Sequence, residues 1–248
     1  MDWHLDTAVA CALYGLLMGQ LVPGLIARVP EPVDPEAEVL EADAPEAGGA
    51  PVAEEPKELY VDIARRRGLA WKASVATAVA AGLMGAATGW SPALSFLLYL
   101  APVGVALAVI DWRTRLLPTK VIAPSYAVVA ALAALSAWSE SDLDALTTAG
   151  LGWLVAGGTF FLLWFIYPRG MGYGDVRLSG VLGMALGYLG WSELLVGVYA
   201  GFILGAVGGA LLSLLRLVDR KAYPFGPFML VGAVVGVLFG PYVADWYA

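Results

Sequence analysis

ALSFLLYLAPVGVALAVIDWRTRLLPTK, residues 93–120, decides the fold. Residues 93–110 carry no charge and are long enough to cross about 30 Å of hydrocarbon, which takes roughly 17–25 helical residues. The run then stops at Asp111 and is followed by Arg113, Arg115 and Lys120. An apolar helix ending in a basic loop is the pattern of a membrane span that reaches the cytoplasm. Working outward, the same reading predicts spans at about 8–27, 71–89, 93–110, 121–138, 146–167, 176–190, 194–215 and 226–244. The fold class is therefore all-α: a polytopic transmembrane helix bundle of about eight spans.

Composition agrees. The 248 residues are 60% hydrophobic and 14% charged, with a mean hydropathy of +0.75; soluble domains average about 45–50% apolar and about 25% charged. Alternating the spans from an outside N-terminus sorts the basic residues. Arg28, Lys57, Arg65, Arg66, Arg67, Lys72, Arg113, Arg115, Lys120, Arg169, Arg177, Arg216, Arg220 and Lys221 all fall inside, and they are all 14 of the chain's Lys and Arg. The outer segments hold only acids, so both termini are expected to be extracytoplasmic. Tight turns are expected at Trp90-Ser91-Pro92, and Gly240-Pro241 should loosen the end of the last span.

Three regions follow: 1–29 with the first transmembrane helix, 30–70 as a cytoplasmic loop, and 71–248 as the membrane-embedded core. The loop contains EPVDPEAEVLEADAPEAGGAPVAEEPKE, residues 31–58, whose Pro, Glu, Ala and Gly have little to bury. It is expected to be disordered. It holds most of the acids, so the net charge of −7 describes a loop and not a site. Arg65-Arg66-Arg67 closes it as a basic anchor suited to anionic headgroups.

The one cysteine, Cys11, excludes an internal disulfide and a cysteine-based zinc knuckle. His4 is expected in a frayed tail. No metal-ligand cluster stands out, no cofactor is expected, and nothing points to nucleic acid. Glycines four apart (15 and 19, 183 and 187, 201 and 205) suit close helix packing within the bundle, or alternatively a homo-oligomer face. Ser141 and Ser192 are expected to cap the fifth and seventh spans.

Ionisable groups at membrane depth are functional candidates. Asp111 and Asp175 stand at helix ends on the cytoplasmic side, whereas Asp219 lies among basic neighbours in a loop. Each has a plain structural reading: Asp175 as a helix N-cap, Asp111 as the partner of Arg113 or Arg115. If the bundle brings them together, the two carboxyls share one proton and titrate as a unit. One can then take a proton from water while the other polarises a peptide carbonyl. Gly170, Gly172 and Gly174 before Asp175 permit positive φ and close backbone approach, leaving room for a peptide laid in as an added strand.

These strings resemble the prepilin peptidases, the type IV leader peptidases of the GxGD class of membrane aspartic proteases. The matching pieces are DWRTRLLP with Asp111 and Pro118, GMGYGDVRLSG with Gly172, Gly174 and Asp175, and PFGPFMLVG with Gly226 and Pro227. Arg177 stands where relatives have Lys. More faintly, YGLLMGQLVPGLIARVP at 14–30 is similar to the family's N-terminal signature, with Gln20 and Pro23 in place of Ser and Asn. The resemblance implies that Asp111 and Asp175 are catalytic, and that Gly172, Gly174, Pro118 and Arg177 shape the site or bind substrate. It also implies a bacterial inner-membrane enzyme, embedded in lipid, that cleaves prepilin or pseudopilin leaders at the cytoplasmic face. Long-form members carry a four-cysteine cytoplasmic domain linked to zinc and N-methylation. Those cysteines are missing here, so the expectation is the peptidase without S-adenosylmethionine. An ion-coupled transporter using the same two acids, and a catalytically silent scaffold, remain open at this point.

Overall fold

The computed structural model describes residues 3–31, 58–168, 170–215 and 223–247, and every regular element among them is helical. In chain order these are α1 (Leu5–Gly19), α2 (Val22–Ala27), α3 (Tyr60–Ala64), α4 (Leu69–Thr88) and α5 (Leu94–Thr114). They are followed by α6 (Thr119–Glu140), α7 (Leu143–Ile166), α8 (Tyr173–Leu189), α9 (Trp191–Leu214) and α10 (Gly226–Tyr247). Six of them, α4–α7, α9 and α10, are long and apolar enough to cross a membrane. The ranges expected for the first and sixth spans correspond to shorter helices, α1 with 15 residues and α8 with 17.

The first expected span is not one helix. The chain tightens at Gln20 and Leu21, whose N–H groups donate to residues three back, Leu17 and Met18. Pro23 has no N–H to continue the ladder, and proline is at home in a first helical turn. The short α8 is central: Leu178, Val181, Ala185 and Leu186 are all buried, packed among α6, α7, α9 and α10. Surrounded by other helices, it meets little lipid.

Three helix pairs pack most intimately: α1 with α4, α7 with α8, and α9 with α10. Glycine explains why. A Cβ on Gly15 would lie 2.6 Å from the Thr77 carbonyl oxygen, one on Gly187 2.6 Å from that of Thr148, and one on Gly232 2.6 Å from the Gly201 Cα. Such spacings are reachable only where backbones touch, as small residues allow in lipid. The glycines four apart therefore serve packing inside the bundle.

Local expectations fare unevenly. Trp90-Ser91-Pro92 is a turn, with the Ser91 carbonyl accepting from Leu94 N–H at 3.1 Å. The cap of α7 is Asp142, whose Oδ1 accepts from Ala145 N–H at 3.1 Å. Ser141 instead takes a left-handed conformation (φ 55°) at the end of α6, so it is one residue too early to cap. Ser192 lies inside α9 and donates to the Glu193 carboxylate at 3.0 Å. α10 runs straight through Pro241, held where Gly240 abuts the Glu193 backbone. His4 is docked, its N–H donating to the Ala86 carbonyl at 3.0 Å and its ring lying against Gly89.

Most of the expected disordered loop, residues 32–57, lies outside the described residues. Its flanks are folded and tied together. Glu31 accepts from the N–H groups of Tyr60 (3.0 Å) and Val61 (3.1 Å), which are orphan donors of the first turn of α3. Tyr60 and Ile63 are buried against Val22, Ile26, Ala106 and Ile110. The ends of the 30–70 segment thus meet, and residues 58–70 belong to the bundle.

Candidate functional site: a buried carboxyl pair at one end of the bundle

Asp111 lies in the last turn of α5 and is 4% exposed. The helix runs four residues past the expected stop, so the carboxylate sits inside a turn and not after it. It closes at Arg115, whose N–H donates to the Asp111 carbonyl at 2.8 Å and whose φ is 56°. A left-handed non-glycine residue costs roughly 1–2 kcal/mol, so the turn is held by its surroundings. Leu117 precedes Pro118, which disfavours helix there. Pro118 is extended (ψ 124°) and starts α6, its carbonyl accepting from Val121 and Ile122. The Asp-to-Pro element is thus the sharp α5–α6 hairpin.

Asp111 pairs with neither Arg113 nor Arg115. Its Oδ2 accepts from the backbone N–H of Gly226 at 2.9 Å, across 115 residues of sequence. Gly226 opens α10, where N–H groups lack helical partners and favour an anion. A Cβ on Gly226 would stand 2.8 Å from that oxygen. Glycine is therefore required for the contact. Gly226 was quoted in the family resemblance but not among the expected site residues; FGP at a helix start was the signal available.

Asp175 is 9% exposed and sits in the first turn of α8. It is not the N-cap. That position is Gly172 (φ −70°, ψ 140°), whose carbonyl accepts from Asp175 N–H at 3.1 Å, and the Asp175 Oδ2 lies 3.4 Å from where a Cβ on Gly172 would stand. The side chain folds back onto the start of its own helix, as the third residue of a capping box does. The Asp111 carboxylate is close enough to act on Asp175 electrostatically. The two acids that the sequence placed at one border are neighbours in space.

The glycine cluster works differently from the expectation. Gly170, Gly172 and Gly174 all lack positive φ; among the described glycines only Gly68, Gly89 and Gly190 have it. What Gly174 supplies is room: a Cβ there would lie 2.7 Å from the Cβ of Leu117. Leu117 also reaches Gly226, its Cδ1 being 3.4 Å from where a Cβ would stand. This one side chain wedges between the starts of α8 and α10. Sequence reading missed it because a leucine in an apolar chain carries no chemical signal. Arg177 places its guanidinium 4.6 Å over the Tyr173 ring and donates to the Thr119 hydroxyl, while Tyr126 donates to the Arg177 carbonyl at 2.7 Å. These contacts bolt the first turns of α8 to α6. Arg177 and the Pro118 turn thus meet at the rim.

Residues 98–214 match the family model described as the type IV leader peptidase family. Three similar curated proteins all carry the name prepilin leader peptidase/N-methyltransferase. That of Aeromonas salmonicida strain A449 is 32% identical over 168 residues, 64% of this chain and 53% of that protein. That of Aeromonas hydrophila is 32% identical over 170 residues, 65% of this chain and 54% of that protein. That of Escherichia coli K12 is 30% identical over 182 residues, 70% of this chain and 77% of that protein. The chain spans about half the length of the Aeromonas relatives. No solved structure matches it.

Proposed function

Since this chain belongs to the type IV leader peptidase family, we propose that it is an intramembrane aspartic endopeptidase with Asp111 and Asp175 as its acid/base pair. The observation that carries this reading is the burial of both carboxyls at one end of the bundle, Asp111 on the Gly226 N–H that opens α10 and Asp175 in the first turn of α8, with Leu117 wedged between those two helix starts. Two neighbouring carboxyls out of water hold one proton between them. The ionised one accepts a proton from water as its oxygen attacks the scissile carbonyl carbon. The other gives its proton to the carbonyl oxygen. Collapse of the tetrahedral adduct breaks the C–N bond, and a proton passes to the departing amine.

The substrate is a prepilin or pseudopilin leader, cut where it emerges at the cytoplasmic border ahead of an apolar segment. The enzyme is a multi-pass protein of the bacterial inner membrane with its termini on the outer side. Both acids sit at helix ends, whereas coupled ion sites of transporters lie near the midplane; the placement favours hydrolysis over ion coupling. We assign no methyl transfer to it: Cys11, the chain's one cysteine, is buried against Gly85 in the α1–α4 pair.

The test is cleavage of a synthetic leader joined through Gly to an apolar segment, with products weighed by mass spectrometry. Asp111→Asn and Asp175→Asn are each expected to lower the rate by about 10²–10⁴-fold with helical content unchanged. The wild-type rate should fall on both the acid and the alkaline side of its optimum, because only the singly protonated pair works. Cleavage by either Asn variant at the wild-type rate overturns the assignment.

A further inference from the structure

A cavity of about 710 Å³ is walled by α4, α5, α8 and α10. It lies within the range of small-molecule sites, about 300–1,000 Å³. Its wall is apolar along its length and small in many places, with Ala76, Ala80, Ala101 and Ala108 leaving a slot. From Lys72 to Met84 it follows α4 for about 18 Å at 1.5 Å per residue. One end is different. Arg66, Arg67, Lys72 and Arg113 stand there with Trp112, and among the described residues no acid lines the cavity.

Arg66 is committed to Glu58, Nε to Oε1 at 2.7 Å. Arg67, Lys72 and Arg113 are exposed and form no ion pair with a described residue. Arg113 is two residues from Asp111, so the cationic end and the carboxyl pair share one border of the bundle. A tryptophan 47% exposed at that level suits the headgroup zone.

We propose that this cavity binds one anionic phospholipid, with an acyl chain in the slot and the phosphate held by Arg67, Lys72 and Arg113. Charge complementarity selects this occupant. An apolar protein helix entering the same slot leaves three cations without a counter-charge, whereas a phosphodiester at the mouth satisfies them. Basic pockets between transmembrane helices on the cytoplasmic side take anionic headgroups in this way. The basic triplet at 65–67 thus reaches further than a surface anchor: one member closes the loop on Glu58 and the next faces the lipid. The inference stands independently of peptidase activity.

The full chain is reconstituted in nanodiscs of equal phosphatidylglycerol and phosphatidylcholine, extracted in detergent, and weighed by native mass spectrometry. Wild type is expected to retain one phosphatidylglycerol in strong excess over phosphatidylcholine. Each exposed cation near a surface contributes roughly fivefold, so the triple variant R67Q/K72Q/R113Q should lose on the order of a hundredfold in that preference. Ala108→Phe keeps the cations but fills the slot, and should also lose the lipid. R67K/R113K keeps the charge and should retain it. Circular dichroism and elution volume check each fold, and if the triple variant fails to fold, the other two decide. Retention of phosphatidylglycerol by both R67Q/K72Q/R113Q and Ala108→Phe overturns the proposal. So does displacement of the lipid by soluble glycerol phosphate alone, or by an uncharged apolar helical peptide.

Discussion

Glycine does two different jobs in two regions of this bundle. Between α7 and α8, Gly152, Gly183 and Gly187 let one backbone lie on another: a Cβ on Gly152 would be 2.3 Å from the Gly183 carbonyl oxygen and 2.8 Å from the Gly187 Cα. At the carboxyl pair, Gly174 and Gly226 make room for side chains, Leu117 in one case and Asp111 in the other. In the first region the missing Cβ shortens the distance between helices. In the second it places a carboxylate on a backbone N–H. The same residue type thus carries packing in one place and chemistry in the other, and only the neighbour distinguishes them.

Substitutions can separate the two roles. Gly226→Ala should have the largest effect, about 10²-fold on leader cleavage, because its Cβ displaces the Asp111 carboxylate and misplacement of about 1 Å costs that much. The melting temperature in detergent should move little, since the atom displaced is the end of a side chain. A large loss of stability with the rate per folded molecule preserved would erase the contrast between regions. Gly152→Ala should do the reverse. Backbone cannot swing aside as a side chain does, so overpacking should destabilise by about 1–3 kcal/mol in thermal or denaturant unfolding, with cleavage falling only as the folded fraction falls.

Two smaller effects sharpen the comparison. Arg177→Lys keeps the charge but weakens the stacking over Tyr173 and the fork to Thr119. A loss of about 0.5–1 kcal/mol should appear as a several-fold change in KM, with kcat nearly kept. Gly157→Ala is the control. It lies in the α7–α8 interface, but its Cβ would meet Gly180 Cα at 3.5 Å, an ordinary contact. Stability should stay within about 0.5 kcal/mol, and a drop like that of Gly152→Ala would show that the interface tolerates no Cβ at all.

Much of this was legible in the chain. The long apolar runs became helices close to their expected bounds, and the two acids were marked as candidates by sitting charged at the ends of uncharged runs. The misreadings have a common cause. Ser141 and Ser192 were judged as caps by local propensity, and each was decided within one or two residues by a neighbouring turn. The glycines before Asp175 were read as a source of unusual φ, yet Gly174 answers to Leu117, which lies 57 positions earlier in the α5–α6 turn. Leu117 and Gly226 had no role that their own surroundings in the chain announced.

By itself the sequence determined that this is a helical membrane protein and that two carboxyls stand at the ends of apolar runs with basic residues beside them. Those properties depend on hydropathy and charge summed over one segment, and are therefore local. Tertiary structure alone decided that Asp111 takes its hydrogen bond from Gly226, that Leu117 wedges between α8 and α10, and that three cations ring the mouth of an apolar slot. Each depends on which face of one helix meets which face of another. That choice comes from complementary shape across scores of residues, and no window along the chain contains both surfaces.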